Sequence, residues 1–537
     1  MAACAAALIG LETLAYLVHG PFEWTAARLW ALGGGLFLAL GAVAVARAVA
    51  GAIRNRCPLS LVMVLVVGFV TLWGISGVEH LQIQHEATQQ VAAGLQAFEL
   101  PSWNYTGVGF LGYPNRQYLI TALPSLVIGR GLLALRLGFA LPFLFAALLF
   151  WAGAREEWLH FPGGGAAAAL ATLSVLAFPY AIDHLRWYEQ TNLPLSMTLA
   201  AAGWLLIAIR RPTVPTLLGL AWIGALLGCS YTPDLASAAL LAAAVLWLAA
   251  TAWRRAERGT ALGWLAVAAV TLGFTGLSFL TRVDLFKEGG QTTLKAEFAA
   301  PLREAFAIFL FGVPKLFLPP VLYLPVVAAL LLGLVGRLRL AGLAISWWTA
   351  AVIVTGTVFS GYANPPPSFG MHRAIIVIPP LLLLAGWCGL RVAEICGAHR
   401  APRGVLAAMS VLVVGQVAWN LAALDRHYAP TIREVVFADM LEQGQRLGIS
   451  SDSQPAVVLL TSMGDLNNAG DFLTYFYPGH RLVRSAEEAA TVDPRSTPVY
   501  VYVDAETWSA DSLPWLAGLD RGLIEYWSAD SRHRMIR

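Results

Sequence analysis

Uncharged stretches such as "ALGGGLFLALGAVAVA" (31–46) and "LVMVLVVGFVTLWGI" (61–75) recur along most of this chain. An apolar run that crosses a ~30 Å hydrocarbon core must satisfy every backbone N–H and C=O internally, so it must be helical. Windows of that length predict about thirteen spans. They centre near residues 3–19, 27–46, 60–78, 132–152, 164–183, 193–209, 215–230, 235–252, 260–280, 319–336, 341–361, 373–391 and 403–422. Charged residues make up only 12% of the chain, against roughly 25% in soluble domains. The fold class is therefore a polytopic α-helical membrane protein. The first segment lacks a basic start and reads as a retained helix rather than a cleaved signal.

The arginines set the orientation. Arg47, Arg54 and Arg56 follow the second run, Arg210 and Arg211 the sixth, and Arg254, Arg255 and Arg258 the eighth. Arg337 and Arg339 follow the tenth, while Arg391, Arg400 and Arg403 flank the last two. Alternating spans put all these loops on one side, which the positive-inside rule makes the cytoplasm. The N-terminus is then cytoplasmic and the tail extracytoplasmic, in an inner (plasma) membrane. Three regions are expected: a transmembrane hairpin at 1–59, a transmembrane domain at 60–425 with outer loops 79–131 and 282–318, and an outer domain at 426–537.

That tail changes character. "PAVVLLT" and "TPVYVYVD" read as short strands, "TIREVVFADMLEQGQRLGI" and "SLPWLAGLDRG" as helices, and "LIEYWSA" as a last strand. A small C-terminal α/β extracytoplasmic domain follows. It has no Gly-rich phosphate loop, which argues against a nucleotide site. The net charge of +3 gives no reason to expect a nucleic-acid partner. The five cysteines show no CxxC and no paired spacing, so neither a disulfide framework nor a zinc site follows.

One polar stretch stands out, "GVEHLQIQHEATQQVAAGLQAF" (77–98), just beyond the third run. It gathers Glu79, His80, His85 and Glu86, and Val91, Leu95 and Phe98 recur at about helical spacing. The structural reading is a solvated helix lying along the membrane surface. The chemical reading is an acid/base site, in which a Glu or a neutral His takes a proton from a hydroxyl. A metal site from His80, His85 and Glu86 lacks the i, i+4 histidine spacing of a helical site.

After this stretch comes "GYPNRQYLITALPSLVIGRGLLALRLGFAL", and further on "AFPYAIDHLRWYEQTNLPLSMTLAAAGWLL" and "MHRAIIVIPPLLLLAG". Taken in this order and topology, the chain resembles the GT-C superfamily of lipid-sugar-dependent glycosyltransferases, in its protein O-mannosyltransferase and aminoarabinose transferase branch. The resemblance covers roughly residues 60–425. The counterparts of the family's Asp-Glu pair, its His-Pro-Pro-like segment and its Arg-Leu are His85-Glu86, Tyr113-Pro114 and Arg136-Leu137. The chain departs from the family at the catalytic Asp, where His85 stands. His85 or Glu86 could serve as base, or the site could bind without turnover.

The resemblance implies a polyprenyl-phosphate-linked sugar as donor and a glycan, lipid or protein as acceptor, with membrane lipids around them. The phosphate leaving group calls for cations. Arg116, Arg186, Lys287, His372 and Arg373 are the candidates, with Asp183 and Glu189 flanking Arg186 to orient an acceptor or to pair with that Arg. No cofactor is specified; a divalent metal could share the phosphate charge. Two rivals stand beside a transferase: a silent binding or assembly subunit, and a lipid-sugar transporter or flippase. A transporter would carry ionisable groups deep in several spans, and here the spans are nearly free of them.

Overall fold

A computed structural model describes residues 21–76, 85–99, 116–178, 192–230, 232–281, 378–395 and 401–431, five strands between 456 and 536, and the single residues Ala181, Ile182, Leu185, Ile376, Tyr475 and Thr491. The helices are α1 (Pro21–Arg54), α2 (Pro58–Ile75), α3 (His85–Glu99), α4 (Gln117–Ile128), α5 (Leu132–Trp158) and α6 (Gly164–Leu176). Next come α7 (Asn192–Arg210), α8 (Val214–Gly228), α9 (Thr232–Arg254), α10 (Arg258–Thr281), α11 (Ile378–Ile395) and α12 (Ala401–Thr431). Among them, 7 are long and apolar enough to cross a membrane, and α4, α6 and α8 are shorter apolar helices. Each predicted run within the described residues is helical; those at 3–19, 319–336 and 341–361 lie outside them.

Close backbone approach holds the bundle together. Lipid tails are as apolar as leucine, so helices associate in a membrane through tight packing of small residues. α5 and α7 run side by side, and a Cβ on Gly153 would collide with the Gly203 carbonyl oxygen. Aromatic rings pin α1 across the others. Trp30 lies 4.4 Å from Trp222 and 5.5 Å from Phe274, and Phe37 lies 5.7 Å from Phe145. Leu65, Leu72, Val411 and Trp419 point outward, as expected of lipid-facing side chains.

The arginine-rich end is closed by ion pairs. Arg210 Nε meets Glu157 at 2.7 Å, and Arg211 meets Glu156 at 2.8 Å. Arg210 also donates to the Glu157 carbonyl at 3.0 Å and to His160 Nδ1 at 2.6 Å. Burial and then the Arg210 charge hold the His160 imidazole below its usual range.

The tail holds a mixed sheet of order β2-β1-β3-β5-β4. Its strands are β1 (Ala456–Leu460), β2 (Arg481–Val483), β3 (Val499–Asp504), β4 (Glu525–Trp527) and β5 (His533–Ile536). β1 pairs in parallel with β2 and β3, and β5 lies antiparallel between β3 and β4. The strand in "LIEYWSA" is therefore not the last. β5 follows it, because "HRMI" finds two partners despite showing no apolar alternation. The helices expected in this region lie outside the described residues.

Candidate functional site

At the end of the bundle opposite the ion pairs, the short helices α3 and α4 are tucked against α5. α3 crosses α4 so closely that a Cβ on Gly94 would meet the Tyr118 carbonyl and the Ala122 side chain. Arg116 precedes α4, and its backbone N–H donates to the Cys229 carbonyl at the end of α8 at 3.1 Å. Helices α4 and α8 thus come together around it.

Where the polar stretch is described, α3 packs into the protein rather than lying free in water. Thr88, Gln90 and residues Val91 to Leu95 of α3 are all buried within the protein. The Gln90 side-chain amide makes no hydrogen bond among the described residues and is 0% exposed. α2 ends at Ile75, with Ser76 extended, and α3 begins at His85, so the two are separate helices. Glu79 and His80 lie between them, outside the described residues.

Two arginines are buried at this end. Arg116 is 2% exposed and Arg136, one turn into α5, is 1% exposed. Arg136 Nη1 donates to the Gly74 carbonyl at 3.5 Å. Gly74 in turn packs against Leu185, from the turn before α7. The end of α2, the start of α5 and that turn therefore converge. Buried hydroxyls join neighbouring helices here too: Thr198 and Ser237 lie 3.4 Å apart, and Ser278 donates to the Gly228 carbonyl at 2.5 Å. A buried guanidinium is costly to desolvate and suits an anion with several oxygens.

The predicted site residues divide accordingly. The backbone of His85 and Glu86 forms the first turn of α3, and Arg116 stands beside α4. Asp183, Arg186, Glu189, Lys287, His372 and Arg373 lie outside the described residues. Among the described residues no group of three His, Cys, Asp or Glu is placed to hold a metal ion. Gln90 was missed, because Gln in a polar helix reads as water-facing. Arg136 did leave a signal: a single charge inside "LLALRLGFAL".

No protein-family profile and no curated protein matches the sequence. Solved structures do match. ArnT from Cupriavidus metallidurans bound to undecaprenyl phosphate shares 18% identity, with a TM-score of 0.53, over 90% of this chain and 98% of that one. The same protein in the apo state gives 16% identity and a TM-score of 0.54 over the same shares. The fold is that of ArnT, a GT-C fold. At this identity the likeness speaks for the fold.

Proposed function

We propose that the chain is an integral-membrane glycosyltransferase that moves a sugar from a polyprenyl-phosphate donor to an acceptor at the extracytoplasmic face. The observation that carries this reading is the pair of buried arginines, Arg116 and Arg136, at one end of an ArnT-like fold. ArnT is known in that fold with undecaprenyl phosphate bound. By the positive-inside rule the ion-paired end faces the cytoplasm, which puts the buried arginines at the outer boundary. A lipid-carried substrate would approach from there.

In this reading Glu86 or His85 accepts the proton of an acceptor hydroxyl. The hydroxyl oxygen attacks the anomeric carbon, and the bond from that carbon to the phosphate oxygen breaks. The phosphate leaves with the electron pair, and Arg116 and Arg136 stabilise the charge it gains. Arg186, Lys287, His372 and Arg373 are proposed to complete the phosphate shell, with Asp183 or Glu189 directing the acceptor. The tail helps to dock that acceptor. His85 at the position of the family's Asp supports a second reading, in which the chain binds the lipid without turnover.

The test is release of polyprenyl phosphate from a panel of polyprenyl-phosphate sugars by purified wild type, His85→Ala and Glu86→Ala. An active wild type and a loss of about a hundredfold or more in one variant supports the transferase and names its base. Binding without turnover on every donor supports the silent subunit.

A further inference from the structure

Tyr475 lies between β1 and β2 in sequence and is completely buried. Its hydroxyl accepts from the Gly131 N–H at 3.1 Å, donates to the Gly131 carbonyl at 3.0 Å, and lies 2.9 Å from Ser125 Oγ. One donor and two acceptor positions are all that a phenol has, so the Ser125 hydroxyl donates and the group is saturated. Arg130 Nη1 reaches the Tyr475 carbonyl at 3.5 Å. Burial pushes the phenol above its usual range, against the opposing hydrogen bonds.

These partners belong to one place. Ser125 is in the last turn of α4, and Gly131 immediately precedes α5. The other end of α4 abuts Arg116, and α3, which begins with His85 and Glu86, rests on α4 at Gly94. α4 is only 12 residues long, roughly 18 Å, and a short helix held at one end moves as a unit. We propose that Tyr475 is a positioning residue: it ties the C-terminal sheet region to the α4–α5 turn and thereby holds Arg116 and α3 in place for the lipid phosphate. The inference rests on the reading of this end as the donor site. Phenylalanine would keep the ring but leave Ser125 and the Gly131 backbone without the hydroxyl, inside the protein.

The experiment uses the full chain in nanodiscs, as wild type, Tyr475→Phe, Ser125→Ala and the double variant. It measures the Kd for undecaprenyl phosphate and the rate at which protease releases the tail. Tyr475→Phe is expected to weaken binding about tenfold, Ser125→Ala less, and the double variant no more than Tyr475→Phe alone, since the two share one bond. Faster proteolysis with an unchanged Kd would reduce Tyr475 to an anchor and overturn the positioning role. No change in either readout would overturn the proposal outright. A wild type that binds no undecaprenyl phosphate would instead sink the donor-site reading, and this inference with it.

Discussion

The two ends of the bundle each bury an arginine, Arg155 (6% exposed) at one and Arg116 and Arg136 at the other, but they differ in what meets the guanidinium groups. At the arginine-rich end the Arg210 side chain is 39% exposed and meets the Glu157 carboxylate; at the other end Arg136 is 1% exposed and reaches a backbone carbonyl. A half-exposed guanidinium keeps much of its hydration, and its ion pair contributes little stability. A buried one has lost that hydration, which is worth losing where an anion is to be bound. In the proposed function the second end meets the donor phosphate, and the ion-paired end takes no part in lipid binding.

That contrast can be broken experimentally. Arg136→Ala is expected to weaken undecaprenyl phosphate binding by about ten- to a hundredfold, the worth of a hydrogen bond to a charged group, measured by equilibrium binding. Arg136→Lys should not restore it, because an ammonium lacks the planar fork. Gly153→Leu, which forces α5 from α7, should cost about 1–3 kcal/mol in thermal or denaturant unfolding, a bundle-wide effect that spares neither end. Arg211→Ala should change stability by less than about 1 kcal/mol and leave lipid binding untouched. A tenfold loss of binding there would erase the distinction between the ends.

The smallest effect is on pH. The folded protein holds His160 below its usual range, so it favours the neutral ring. The stability tied to that neutrality is present above about pH 6.5 and is lost as pH falls through the lower folded value. Melting temperature should therefore fall slightly more between pH 7 and pH 5 in wild type than in His160→Gln.

The membrane helices were legible because lipid leaves an apolar run no alternative to a helix. The site was legible only in part. "HEATQQ" offers polar side chains at helical spacing, and nothing local says whether water or protein surrounds them. The close crossing of α3 and α4 at Gly94 decides it, a tertiary fact. Tyr475 sits in "DFLTYFYPGH" as one aromatic among several, and its partner Ser125 is 350 residues away. β5 escaped because its pattern carries no alternation, so its pairing comes from β3 and β4 on either side.

The measurement that bears most directly on the account is a cryo-electron microscopy structure of the full chain with undecaprenyl phosphate in nanodiscs. The account predicts phosphate density beside Arg116 and Arg136, between α4 and α5 and at the end away from Arg210. Phosphate density at the Arg210–Glu157 end, or a lipid headgroup remote from both buried arginines, would contradict it.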